Sequence, residues 1–235
     1  MEASRRRVRD RDGSQSMNEP QHLAIVDTGD LPERSHDLFD VIVERSSVRS
    51  FKSGPVPAEQ VKKAIEAAGW APSPHGSQPW RFVVLEALTH RVRLAEAMAA
   101  TWRDQLLLDG QPAEVVEARL QRSKDRLLQA PLVVVLCLFL GDAQSYPDAQ
   151  REAAEVLMAV QSLGAAAQNF LLALHAQGLD SGWMCGPLFC PDVVRETLSL
   201  DANLEPQAMF PIGRAAAAPK RRPRRPVDGL IASWS

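Results

Sequence analysis

The hydrophobic pattern of the chain predicts helices interspersed with a few strands. Apolar residues at helical spacing predict helices that begin at Asp37, after Pro57, and near residues 88–102, 113–129, 151–177 and 191–200. Ser35 or Asp37 is placed to cap the first helix, and Gly69 to end the second. Runs rich in valine or aromatic residues predict strands at residues 80–86, 132–139, 182–185 and 207–213.

The segment 151–177 has the strongest helical pattern in the chain. Its apolar residues keep one face over the whole length: Val156, Val160, Leu163, Ala167, Phe170, Leu171 and Leu174. Gly178 supplies a stop, and the small residues 164–167 allow another helix to approach closely. We therefore expect a long central helix that is buried against its neighbours or against a partner subunit. Because the strands do not alternate regularly with helices, the pattern favours an α+β fold over a doubly wound α/β fold.

Composition limits the class of protein. Of the 235 residues 45% are hydrophobic and 24% are charged, and the net charge is −2, which is typical of a soluble globular chain without a nucleic-acid footprint. The longest apolar run, residues 132–140, is far shorter than the roughly 20 residues of a membrane span. The basic N-terminus lacks the apolar segment of a signal peptide, so we expect a cytoplasmic protein. We predict a mostly disordered tail over residues 1–34 and a single domain over residues 35–235.

The sequence lacks the common catalytic signatures. Three cysteines without a CxxC pair and five histidines without ligand spacing predict neither a disulfide framework nor a metal site, and Cys137 is expected to be a buried, inert thiol. There is no GxGxxG after a strand, no GxxxxGK[ST] loop and no GxSxG turn. If a chain without these signatures is an enzyme, a cofactor carries the chemistry, and we therefore nominate no catalytic residue.

Three polar segments are the candidates for binding. Arg45 and Arg49, with hydroxyl groups between them, suit an oxyanion such as phosphate, although the same residues also suit a solvated helix end. The proline-rich segment 73–80 can direct amides at a ring, or it can be a simple turn that places Trp80 in the core. The basic segment 220–226 is, taken alone, a solvated tail or a tail that touches nucleic acid.

In their order along the chain, four motifs resemble the flavin-dependent nitroreductase family. The first is Arg45-Ser46-Ser47-Val48-Arg49-Ser50-Phe51, and the second is Ala71-Pro72-Ser73-Pro74-His75-Gly76-Ser77-Gln78-Pro79-Trp80-Arg81-Phe82. The third is Gly178-Leu179-Asp180-Ser181-Gly182-Trp183-Met184, and the fourth is Ile212-Gly213 followed by Arg224-Arg225-Pro226. The resemblance covers residues 38–230.

The resemblance implies an α+β sandwich in which helices flank a central mixed or antiparallel sheet around a long buried helix. It also implies an obligate homodimer with two FMN sites at the subunit interface. The FMN phosphate and ribityl chain would be held by Arg45, Ser46, Ser47 and Arg49, together with Arg224 or Arg225. The isoalloxazine ring would lie along Met184, Cys185 and Gly186. The partner subunit would contribute the loop of Pro72, Ser73, Pro74, His75, Gly76 and Gln78. Gly76 replaces a frequent asparagine there, so a side-chain hydrogen bond to the flavin edge would be either missing or supplied by His75.

The function that the resemblance implies is ping-pong hydride transfer. A reductant such as NAD(P)H would reduce FMN and leave, and a small organic acceptor would follow. Segments around Trp102 and Tyr146 resemble more closely the C-terminal flavin domain of the bifunctional enzyme that matures coenzyme F-420, where a dehydro precursor of the deazaflavin is reduced. A flavin-binding module without turnover and a nucleic-acid-associated protein are the alternatives from other classes.

Overall fold

The computed structural model describes residues 37–219 and 221–234. The predicted disordered tail, residues 1–34, lies outside this part of the chain. Helix α1 (Leu38–Glu44) begins where Asp37 accepts hydrogen bonds on Oδ1 from the backbone N–H groups of Phe39 (2.9 Å) and Asp40 (3.3 Å). Of the two residues predicted to cap this helix, Asp37 is the one that caps it. The predicted apolar face of α1 is mostly uncovered in one chain, since Val41 is buried whereas 75% of the Phe39 surface is exposed.

One antiparallel sheet forms the centre of the fold, with strand order β1-β2-β4-β3. The strands are β1 (Trp80–Leu85), β2 (Leu132–Phe139), β3 (Asp180–Ser181) and β4 (Leu204–Gly213). Residues 132–138 of β2 are buried on both faces, as the continuous apolar run predicts. Strands and helices do not alternate regularly, and the predicted α+β class is confirmed.

The remaining helices cover the sheet and pair with one another. They are α2 (Ala58–Gly69), α3 (Leu88–Leu108), α4 (Ala113–Leu128), α5 (Ala149–Ala176) and α6 (Pro191–Thr197). Helix α2 packs against α5, and α3 packs against α4. Three short 3-10 turns lie at Pro74–Gly76, Gly186–Phe189 and Val227–Gly229.

Helix α5 is the predicted long helix, but its burial is uneven. Phe170 is fully buried and contacts the rings of Phe82 and Phe210 at 5.3 and 5.4 Å between centroids. Towards the other end of the helix, 37% of the Val160 surface is exposed. By its length and apolar composition alone, helix α5 could also cross a membrane. Its second half, however, belongs to the core that packs against the sheet.

Some predicted boundaries are wrong. Helix α3 runs on to Leu108, because no residue that breaks a helix occurs before Gly110, which has a φ of 71°. Helix α6 ends at Thr197, close to Ser199, whose φ is 52°. The strand predicted at residues 182–185 is instead the two-residue strand β3, after which only Met184 pairs again with β4.

Candidate functional site

Hydrogen bonds to both sides hold the turn after α1 in place. The N–H of Val48 donates to the Ser181 carbonyl at 3.0 Å, and the N–H of Lys52 donates to the Arg214 carbonyl at 2.8 Å. The segment therefore lies between β3 and the chain that follows β4. Gly182 allows this close approach, because a Cβ at this position would lie 2.6 Å from the Val48 carbonyl oxygen.

Further hydrogen bonds bring the C-terminal segment close to the end of α1. The N–H of Ala216 donates to the Ser50 carbonyl at 3.0 Å, and Asp180 Oδ2 accepts a 2.8 Å hydrogen bond from the N–H of Ala215. Further along, the Arg221 guanidinium donates to the carbonyls of Val43 (2.9 Å) and Glu44 (2.8 Å) at the end of α1. Two basic segments that are far apart in sequence thus lie side by side.

Between them is a cavity of about 460 Å³, here called the basic cavity. In the part of the chain that the structure describes, its lining contains no acidic side chain and consists of Ile42, Val43, Arg45, Ser46, Ser47, Arg49, Arg221, Arg222 and Arg224. Burial, and secondly the charge of Arg224, lower the pKa of Arg45. The Nε of Arg45 is buried and has no hydrogen-bond partner among the described residues. Concentrated positive charge and an unused donor favour an anion in this cavity.

A second cavity of about 360 Å³, here called the apolar cavity, adjoins the first, and Arg49 lines both. Its lining combines three aromatic residues with mainly small or apolar ones: Arg49, Ala95, Met98, Ala99, Trp102, Gln105, Ser123, Lys124, Arg126, Leu127, Trp183, Met184, Cys185, Gly186, Phe189, Cys190 and Met209. Backbone hydrogen bonds in both directions between Met184 and Met209 (3.0 and 2.8 Å) hold the wall at residues 184–186 against β4. This shape suits a flat, largely apolar group.

The structure brings most of the predicted site residues to these two cavities. Five line the basic cavity, namely Arg45, Ser46, Ser47, Arg49 and Arg224. Arg49 also lines the apolar cavity, together with Met184, Cys185 and Gly186. Arg225 lines neither, and it is exposed. Trp102 and Arg126 were not predicted as site residues, because nothing in the spacing of residues 102–126 shows that helices α3 and α4 cover this wall. Arg221 and Arg222 belong to the predicted basic segment 220–226, from which only Arg224 and Arg225 were nominated for the cofactor.

The predicted loop of residues 72–78 lines neither cavity of its own chain. It is a turn in which His75 and Gln78 have φ angles of 54° and 45°, and Gly76 has a φ of 67°. Ser73 Oγ accepts a 3.1 Å hydrogen bond from the N–H of Gln78 and so closes the turn. Both His75 and Gln78 are exposed, so the loop presents strained backbone to the surroundings.

The cysteines are separate thiols. Cys137 is fully buried in β2, as predicted, and burial raises its pKa to about 11. Burial also raises the pKa of Cys190, whereas Cys185 is exposed. Within residues 37–219 and 221–234, no group of three or more histidine, cysteine or acidic side chains is arranged to hold a metal ion.

Comparison with known proteins identifies the class to which this fold and site belong. The sequence profile of the nitroreductase family matches residues 42–214, and the chain belongs to that family. Family membership confirms the predicted enzyme class, an FMN-dependent oxidoreductase.

One relative and two solved structures show the likeness in more detail. A putative NAD(P)H nitroreductase of Bacillus subtilis, YfhC, is 27% identical over 190 residues, which cover 81% of this chain and 90% of that protein. A BluB-like flavoprotein from Clostridium difficile 630 is similar with a TM-score of 0.74 and 26% identity, covering 86% of this chain and 100% of the other. A putative nitroreductase from Desulfovibrio desulfuricans, solved in complex with FMN, shares the fold at a TM-score of 0.65 and 24% identity, covering 86% and 98% of the two chains. The closer resemblance to the coenzyme F-420 enzyme stays a prediction.

Proposed function

We propose that FMN binds across the two cavities, with its phosphate in the basic cavity and its ring along residues 184–186 of the apolar cavity. The observation that carries this assignment is the buried Nε of Arg45, which has no hydrogen-bond partner among residues 37–219 and 221–234 and lies in a cavity that no acidic side chain of these residues lines. An anion there satisfies the donor and offsets the repulsion between Arg45 and Arg224. Ser46 and Ser47 add hydroxyl groups that can donate to phosphate oxygens.

The reaction that we propose moves two electrons from NAD(P)H to a small organic acceptor. FMN, when bound, would supply this two-electron chemistry, and the overall change converts NAD(P)H, a proton and the acceptor into NAD(P)⁺ and the acceptor with two hydrogens added. Donor and acceptor use the apolar cavity in turn. Its apolar walls, among them Met98 and Leu127, exclude water, while Arg49 places positive charge where the two cavities meet. The relationship to an NAD(P)H nitroreductase supports this donor class.

We further propose that the enzyme is a homodimer in which the partner contributes the loop of residues 72–78. Large apolar side chains are exposed on several elements of the single chain, for example Phe39 on α1, Trp70 after α2 and Leu157 on α5. Exposed apolar surface of this extent is typical of an obligate interface. The exposed, strained loop at His75 and Gln78 would gain a role there by reaching the cofactor of the other subunit.

The test begins with the absorption spectrum of the purified protein and a chromatographic identification of the flavin that denaturation releases. We expect FMN at about one per chain and consumption of NADH or NADPH when a nitroaromatic or quinone acceptor is present. Bound FMN without turnover under any donor would identify a flavin-binding module instead. A chain that neither carries nor takes up FMN would contradict the proposal. Sedimentation at two concentrations tests the dimer in the same preparation.

A further inference from the structure

Two cationic side chains in the apolar cavity have no role at the phosphate end of the cofactor. Lys124 and Arg126, on helix α4, line this cavity but not the basic one. Neither forms an ion pair with any residue that the structure describes. Among the described residues, no acidic side chain lines the cavity. Together with Arg49, which lines both cavities, these two cations give a mostly apolar space three positive charges.

The surroundings of Arg126 show that this charge is not offset locally. Burial lowers the pKa of Arg126, and the nearby charges of Arg49 and Arg122 lower it further. Desolvation and like charges both disfavour the cation, whereas an anion in the cavity would favour it. A negatively charged group on a bound molecule would therefore stabilise the Arg126 cation at this wall.

Another arginine of the α3–α4 pair is already neutralised. Arg103 on α3 binds Glu117 on α4 through two hydrogen bonds of 2.8 and 2.9 Å. Lys124 also contributes to the lowered pKa of Glu117, but the hydrogen bonds of that carboxylate go to Arg103. Lys124 and Arg126 differ from Arg103, because they line the cavity and form no ion pair with the residues that the structure describes.

The remaining walls define the shape of the molecule. Trp102, Trp183 and Phe189 line the cavity, and Trp183 is held edge-on against Phe210 at 5.7 Å between ring centroids. Aromatic walls favour a flat ring. We infer that the acceptor is a planar aromatic or quinoid molecule that carries a carboxylate or another anionic group, bound by Lys124 and Arg126. This inference rests on the proposed function of the same site.

The experiment compares 4-nitrobenzoate with 4-nitrobenzamide, which has nearly the same shape but no charge. For the wild-type holoenzyme we expect a KM about tenfold lower for 4-nitrobenzoate than for 4-nitrobenzamide. This factor is the gain in affinity that a hydrogen bond to a charged group typically gives. Lys124→Gln and Arg126→Gln should each raise the KM for 4-nitrobenzoate by about the same factor and leave the KM for 4-nitrobenzamide unchanged. Calorimetric binding of both compounds without NAD(P)H gives a second readout that is independent of turnover.

Arg122→Gln is the matched control, because Arg122 lies on the same helix, is exposed and does not line the cavity. Equal binding of the two compounds by the wild type would overturn the inference, and so would an effect of Arg122→Gln as large as that of Arg126→Gln. An unchanged dissociation constant for FMN shows that a variant is folded. Failure of the proposed function would appear differently, as absence of turnover with both compounds, and the calorimetric comparison would then still decide the inference.

Discussion

The guanidinium of Arg221 donates a 2.8 Å hydrogen bond to the backbone carbonyl of Glu44, although the two residues are 177 positions apart. A second hydrogen bond of 2.9 Å reaches the carbonyl of Val43. Carbonyls at the C-terminal end of a helix have no partners within the helix, and a cation there also interacts favourably with the helix dipole. Arg221 therefore fixes the end of α1 from which Arg45 projects.

We predict that replacing Arg221 weakens FMN binding by displacing Arg45 rather than by removing charge alone. Arg221→Ala should raise the dissociation constant of FMN by about fivefold or more, as expected for loss of a hydrogen-bonded contact of about 1 kcal/mol. Arg221→Lys keeps the charge but loses the two-point geometry, so it should behave like the alanine variant. Fluorescence titration with FMN measures both. If the lysine variant binds FMN like the wild type, charge and not positioning is the role of Arg221.

Arg45 and Arg49 should contribute more to FMN binding than Arg225. Arg45→Ala and Arg49→Ala each remove a charge-assisted contact worth about 1.5–3 kcal/mol, which corresponds to a roughly ten- to hundredfold weaker complex. Arg225→Ala removes the same charge from an exposed position outside both cavities and should change the dissociation constant less than threefold. Equilibrium dialysis at low free FMN gives the comparison. Full occupancy in both cavity variants would mean that the phosphate lies elsewhere.

Gly182→Ala should destabilise the fold and the site together. The new Cβ would lie 2.6 Å from the Val48 carbonyl oxygen, which is backbone and cannot rotate away. We expect a loss of about 1–3 kcal/mol in the free energy of unfolding, with weaker FMN binding, because the chain beside Arg49 must move. Denaturant titration measures the loss. Gly69→Ala is the control: a Cβ there meets nothing within 4 Å, so its stability should equal or exceed that of the wild type.

Alkylation rates should distinguish Cys185 from Cys137. At pH 8 the exposed Cys185 should react first, while burial, which raises the pKa of Cys137 to about 11, keeps that thiol protonated and protected. Because Cys185 lines the apolar cavity, saturation with FMN should slow its labelling. Mass spectrometry of peptides from the native protein gives the order of reaction. Faster labelling of Cys137 than of Cys185 would contradict the burial of Cys137 in β2. No protection of Cys185 by FMN would place the ring away from residues 184–186.

Much of the fold follows from local sequence pattern. Strand β2 has an apolar side chain at every position, and this continuous run defines a strand buried on both faces in any compact fold. The helical spacing of Leu163, Phe170 and Leu174 similarly defines the buried face of α5. The pattern did not show which apolar faces the chain itself covers. Helix α1 forms the predicted apolar face, but the rest of the chain leaves most of that face exposed.

The chemical groups of the site can be read from the sequence: the Arg45–Arg49 motif, a basic C-terminal segment and the motif that ends at Met184. Which of these groups meet depends on how the chain folds. Arg224 enters the basic cavity and Arg225 does not, because hydrogen bonds from Ala215 and Ala216 set the path of the chain after β4. Lys124 and Arg126 reach the apolar cavity because α4 packs on α3. Local spacing reports which face a residue occupies, whereas the partner of that face depends on contacts between segments far apart in the chain.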